Sequence, residues 1–131
     1  MCVCECRRGD LGLEYVDLYL IHLPIKITQV DVKSPLTKEC ITAINIKDVW
    51  EAMETCQNLG LAKSIGVSNF SPRLIEEILS FAKIPPAVNQ VEMNPLWQQK
   101  KLHEYCKKNE ILLTGYSPLG AAGNTWDTTV S

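Results

Sequence analysis

Lys63-Ser64-Ile65-Gly66-Val67-Ser68-Asn69-Phe70-Ser71-Pro72 decides the fold. It begins as a short apolar run with β-branched residues, the length of a buried strand, and it ends in a helix start. Ser71 suits the N-cap, and Pro72 suits the first helical position, where no N–H is needed and φ is already set. The helix opened there is expected to run to about Lys83, with Leu74, Ile75, Ile78, Leu79 and Ala82 as its apolar stripe. Pro85-Pro86 prevents its continuation. Strand, turn and helix make the unit from which the rest of the chain can be read.

Toward the C-terminus the unit repeats. Ala87-Val88-Asn89-Gln90-Val91 is a second strand, and about Gln98 to Lys108 carries a helical pattern with Leu102, Tyr105 and Cys106 inward. Ile111-Leu112-Leu113-Thr114-Gly115-Tyr116 is a third strand, so Ile65, Val88 and Leu112 recur about every 24 residues. Toward the N-terminus, Asp48 to Leu59 places Val49, Ala52, Met53, Cys56 and Leu59 on one helix face, with Gly60 as the stop. Val16-Asp17-Leu18-Tyr19-Leu20-Ile21 is a further strand. Strands alternating with helices in short units imply parallel pairing with right-handed crossovers. The fold class is therefore α/β, either a βα barrel or a doubly wound sheet, and no G-x-G-x-x-G supports the second. A complete eight-unit barrel needs about 200 residues or more, so 131 residues hold only part of one. Between the first strand and the first helix, Pro24 to Lys47 has the composition of a surface flap.

Composition narrows the function classes. Hydrophobic residues at 46% and charged residues at 21% describe a chain able to build a core rather than a disordered one. Thirteen basic against fifteen acidic residues, net −2, leave no nucleic-acid footprint. No apolar run reaches the roughly 18 residues of a membrane span, and Met1 is not followed by a signal-peptide pattern. A cytoplasmic protein is expected. Cys2, Cys4 and Cys6 crowd the start while Cys40, Cys56 and Cys106 lie singly, which is not the spacing of a disulfide framework. A C-x-C-x-C run can bind a soft metal; with no second ligand cluster, no metal is expected, and residues 1–10 are expected to be a disordered start. Glu51, Glu54, Glu76, Glu77 and His103 read as solvated helix positions, and Trp97 as a packing residue.

In a parallel sheet all strand C-termini lie at one edge, where ligands bind. Here those ends are His22-Leu23-Pro24, Ser68-Asn69-Phe70, Gln90-Val91-Glu92-Met93-Asn94 and Tyr116-Ser117-Pro118-Leu119-Gly120. Each carries a polar or aromatic group, whereas the opposite ends carry mostly Lys, Glu, Pro and Ala. The rim is the candidate site.

Four segments also resemble a known family. Leu13 to His22, Ile65 to Phe70, Asn89 to Pro95 and Tyr116 to Gly120 are similar, in order and separation, to successive signatures of the aldo-keto reductases. The resemblance covers about Gly12 to Val130 and is nearest to plant members of the codeinone, chalcone and methylecgonone reductase type. It implies a (β/α)8 barrel that reduces an aldehyde or ketone with NADPH, to which this chain contributes the fourth to seventh strands. His22 then corresponds to the histidine that donates a hydrogen bond to the carbonyl oxygen as charge develops there. Ser68, Asn69 and Gln90 correspond to the residues that hold the nicotinamide carboxamide, a group with both donor and acceptor. Tyr116 corresponds to the ring that stacks on the nicotinamide. Ser117, Leu119 and Gly120 lie where the pyrophosphate is wrapped. Leu23 stands where many relatives carry an aromatic residue, a change expected to reshape the substrate pocket.

The family's catalytic Asp, proton-donating Tyr and Lys come from earlier strands, and Met1 to Asp10 does not resemble that region. Residues 11–131 thus read as a partial oxidoreductase domain, a fragment or truncated product. Four parallel strands cannot close, so two edges stay unpaired. Little activity alone and self-association through the open edges are expected; an inert or purely associating half-barrel is the alternative.

Overall fold

The computed structural model describes residues 12–27 and 41–120. The readings of Cys2, Cys4, Cys6 and Cys40, of residues 1–10 and of most of the flap lie outside them. The chain runs β1 (Val16–Ile21), β2 (Ile25–Ile27), β3 (Ile41–Ala43), α1 (Ile46–Asn58), β4 (Ala62–Ser68), α2 (Pro72–Leu79), β5 (Val88–Glu92), α3 (Lys100–Lys108) and β6 (Leu112–Tyr116). The four long strands form one parallel sheet in the order β1-β4-β5-β6. Sequence neighbours are thus spatial neighbours, as expected for successive βα units.

Register assigns the two faces. Leu20 pairs with Gly66, Ser68 with Gln90, and Gln90 with Thr114. By the period of two these side chains share one face, and Tyr19, Ile65, Val67, Asn89, Val91 and Leu113 share the other. The second face is covered by the helices. Ile65, Val67, Trp50, Ile75, Ile78 and Cys106 are nearly inaccessible in one apolar cluster. The first face carries no helix, and Leu18 and Leu112 remain 40% and 62% exposed on it. Gly66 is required there: a Cβ would stand 2.6 Å from the Val88 carbonyl oxygen and 2.8 Å from Leu20 Cδ2.

Six local expectations are corrected. The inward face of α1 is Ile46, Trp50, Met53, Glu54 and Cys56, while Ala52 and Leu59 are exposed. The face turns because Trp50 fills the space beneath β4 and its Nε1–H donates to the Ile84 carbonyl at 3.1 Å. Glu54 is buried rather than solvated, because its Oε1 accepts the backbone N–H groups of Lys83 and Ile84 at 2.6 and 2.9 Å. That loop has no strand or helix partner for these donors, so a carboxylate supplies one. Helix α2 ends at Leu79, since the Ser80 hydroxyl donates to the Glu77 carbonyl and competes with the helical ladder. Ser71 occupies the N-cap with extended backbone but makes no capping side-chain bond. Part of the flap is ordered as well: β2 and β3 pair antiparallel, Ile25 opposite Ala43 and Lys26 opposite Thr42. Cysteine pairing also differs from expectation, for Cys56 is disulfide-bonded. No helix among the described residues is long and apolar enough to cross a membrane.

Candidate functional site

The C-terminal ends of β1, β4, β5 and β6 meet at one rim, and Asn69 ties them together. It lies just past β4 with φ +62°, a left-handed conformation that Asn tolerates better than most residues. Its N–H donates to the Gln90 carbonyl at 2.9 Å, continuing the β4–β5 ladder by one step. Its Nδ2 donates to the His22 carbonyl at 3.1 Å and to Ser68 Oγ at 3.2 Å. Its Oδ1 accepts the Tyr116 hydroxyl at 2.9 Å. One side-chain amide thus joins the ends of β1 and β6 across the sheet.

Ser68 is buried, and its hydroxyl donates to the Gln90 carbonyl at 2.7 Å. Its proton is therefore committed, and only its oxygen is shared. The Gln90 side chain and the His22 imidazole make no hydrogen bond among the described residues, and His22 is exposed. Tyr116 is 38% exposed, with its phenol oriented by Asn69. Leu23 is half-buried beside His22. Past Tyr116, Ser117 and Gly120 both have positive φ, +50° and +81°, and the Gly120 N–H donates to the Ser117 carbonyl at 2.9 Å. Leu119, at the tip of that turn, is 96% exposed. The expected residues His22, Ser68, Asn69, Gln90 and Tyr116 are thus brought to one rim, with Ser117, Leu119 and Gly120 beside them.

Two features were missed in the sequence. A cleft of about 640 Å³ opens at the same rim between the starts of α2 and α3, lined by Asn69, Pro72, Val91, Trp97, Gln99 and Tyr116 among others. Trp97, expected to be packed, lines that cleft and is 60% exposed. Asn94 Oδ1 accepts the N–H groups of Leu96 and Trp97, and this turn holds the indole outward. The second feature is Asn89, wholly buried on the helix-covered face, whose amide pairs with the backbone of Phe70. An Asn inside an apolar strand was the available signal. Behind it, burial pushes the Cys106 thiol up, while a hydrogen bond from Asn89 pulls it down by less.

Such an arrangement, successive parallel βα units with amide, phenol and imidazole at the strand C-termini, defines a barrel-type α/β protein. A family model described as the aldo/keto reductase family matches residues 4–126. The chain belongs to that family. D-galacturonate reductase of Fragaria ananassa is 54% identical over 122 residues, covering 93% of this chain and 38% of that protein. The (1S)-1,7-diacetoxy-luvungin A aldo-keto reductase of Citrus sinensis is 56% identical, covering 88% and 36%. Deoxymugineic acid synthase 1-B of Triticum aestivum is 55% identical, covering 89% and 37%. Among solved structures, the aldose reductase of Giardia lamblia superposes with a TM-score of 0.80 at 36% identity, covering 90% of this chain and 40% of that one. The chain therefore spans less than two fifths of the length of these curated relatives. Its four-stranded sheet is the corresponding part of an aldo-keto reductase barrel.

Proposed function

We propose that the chain is the cofactor-facing part of an NADPH-dependent reductase of aldehydes or ketones. The carrying observation is the Asn69 bridge, which sets an oriented phenol, an amide and the end of the histidine strand around one rim. The plant reductases among its relatives support a substrate from plant metabolism, of the codeinone-reductase kind or another. The residues suit a nicotinamide carboxamide. The Gln90 side chain has donor and acceptor to spare, and Asn69 Oδ1 can exchange the Tyr116 hydroxyl for an incoming N–H. NADPH, when bound, supplies the hydride. Tyr116 gives the ring a flat face, and fixing the carboxamide chooses which face of the nicotinamide points at the substrate. His22 donates a hydrogen bond to the substrate oxygen, and Leu23 borders the pocket. Ser117, Leu119 and Gly120 lie in a turn with left-handed backbone at Ser117 and Gly120, and its backbone N–H groups other than that of Gly120, which the Ser117 carbonyl takes, suit an anion, the pyrophosphate. The ordinary globular composition supports work in the cytoplasm, whereas the disulfide at Cys56 is of a kind rare there.

These 131 residues by themselves turn over slowly, because neither Tyr15 nor Tyr19 is placed to give the proton. Tyr15 lies under the Lys63 ammonium, 4.1 Å from its ring centroid, at the start of β1, the opposite edge from His22. Fluorescence titration with NADPH tests the reading: binding should be weakened at least tenfold by Tyr116→Ala and by Asn69→Ala. Binding indifferent to both would refute the site. A monomer that reduces a carbonyl at a rate lost in His22→Ala would keep the site and refute the slow turnover.

One observation favours a second, associating role. The helix-free face of the sheet leaves Leu18 and Leu112 exposed, and β1 and β6 are its edges. Contact with a second copy would cover them.

A further inference from the structure

We infer that Asn89, on the helix-covered face of the sheet, is the residue that positions Asn69 and with it the whole candidate site. The inference rests on the reading of the rim as a nicotinamide site, and it concerns a residue whose own side chain reaches that rim only at the backbone of Phe70. Asn89 is 0% exposed. Its Nδ2 donates to the Phe70 carbonyl at 2.9 Å, and its Oδ1 accepts the Phe70 N–H at 3.4 Å. A single amide thereby satisfies both backbone groups of the residue that follows Asn69. Phe70, only 1% exposed, is an anchor that its own burial also holds.

The consequence falls on Asn69. Its φ of +62° is a conformation that Asn tolerates, and tertiary bonds select it here over the commoner negative φ. On one side the constraint is the bond from its N–H to the Gln90 carbonyl. On the other side it is the Phe70 backbone, fixed by Asn89. Remove the second and only the burial of Phe70 still restrains Asn69 from returning to negative φ, a rotation that swings the Asn69 side chain off the His22 carbonyl and the Tyr116 hydroxyl. Asn89 and Gln90 are consecutive, so one strand presents Gln90 to the rim and, one residue earlier, reaches through to the loop that shapes the rest of it. Asn89 acts through Asn69 and is a positioning residue.

Nitrogen-15 NMR of the full chain without ligand, together with titration by reduced nicotinamide mononucleotide, tests this on Asn89→Asp and Asn89→Ser. The first keeps an acceptor for the Phe70 N–H and loses the donor to its carbonyl; the second loses most of both. The expected result is that the backbone resonances of Asn69 and Phe70 and the Asn69 side-chain amide shift and lose exchange protection. The Trp50 indole N–H, bonded to the Ile84 carbonyl, should stay protected. If the Asn69 signals do not move, or if the indole loses protection in both variants, the proposal is overturned and Asn89 is a folding residue only. For the mononucleotide, affinity should fall about tenfold, the equivalent of 1.4 kcal/mol. The same substitution made in an Asn69→Ala background should have no further effect, and additive losses would overturn the proposal. A wild-type chain that does not bind the mononucleotide refutes the functional reading, while the ligand-free spectra still decide the positioning role.

Discussion

Replacing Glu54 by alanine should destabilise the fold by about 2–3 kcal/mol, from two unpaired backbone donors at roughly 1–3 kcal/mol each, discounted for water. The carboxylate is 6% exposed, and one oxygen accepts the N–H of Lys83 at 2.6 Å and of Ile84 at 2.9 Å. Lys83 is exposed, so water can reach its N–H in the variant; Ile84 is half-buried, and its donor is the costlier loss. Glu54→Gln keeps an oxygen in place and gives up only the charge, so about 1 kcal/mol should be lost. Glu51→Ala, at an exposed position on the same helix, is the control and should stay within about 0.5 kcal/mol of wild type. Urea denaturation followed by tryptophan fluorescence reads all three midpoints. The order Ala, then Gln, then the control is required. A Glu54→Ala midpoint indistinguishable from the Glu51→Ala one would refute the idea that this carboxylate serves the loop. A Gln variant more stable than wild type would show that desolvating the charge outweighs its two bonds.

Three further outcomes follow from the same geometry. Gly66→Ala should cost about 1–3 kcal/mol, because its Cβ has no room against the Val88 carbonyl and Leu20, and the denaturation midpoint should fall with it. Burial raises the Cys106 thiol above its ordinary range, so its share of stability is complete below that range and is lost as pH climbs through the raised value. Cys106→Ala should therefore flatten the alkaline limb of a stability-versus-pH curve, and an unchanged slope would count against a buried, protonated thiol. Leu112→Lys places a charge on the helix-free face without touching the helix-covered core, and it should move the sedimentation profile toward monomer at equal concentration. A wild-type profile that is already monomeric throughout would exclude the association.

The repeat and the rim were legible because both follow from periodicity. Apolar runs alternating with 3.6-period stripes order the sheet, and parallel strands put their C-termini on one side, whatever the side chains do. β1 appears from Val16 to Ile21, the span its apolar run indicates, and Leu74, Ile75, Ile78 and Leu79 face inward as spaced. Glu54 was illegible for a different reason. A charged residue on a helix is solvated unless a distant backbone needs an acceptor, and its two donors lie 29 and 30 residues away. The β2–β3 pairing failed in the same way, since its two strands are three residues each and the segment between them hides their partnership. Trp97 departs from the burial that aromatic character predicts on average, because the Asn94 turn fixes its backbone with the ring outward.

The candidate site shows where local pattern ends and tertiary structure begins. Asn69 could be placed at a strand end from its position alone, but its work depends on three partners that no local window contains: the His22 carbonyl, the Tyr116 hydroxyl and, through Phe70, Asn89. Two of those bonds cross 47 residues of chain. A left-handed residue carrying a bridging amide is sensitive in both directions. Its backbone must hold for the side chain to reach, and the side chain's bonds help hold the backbone. That mutual dependence makes the rim an all-or-none arrangement, in which loss of Asn89 or of the Tyr116 hydroxyl should disturb the same set of Asn69 resonances. Tyr116→Phe supplies the comparison: it removes one bond and keeps the ring. Shifts confined to Tyr116 and absent from Asn69 and His22 would mean that the rim residues are merely neighbours.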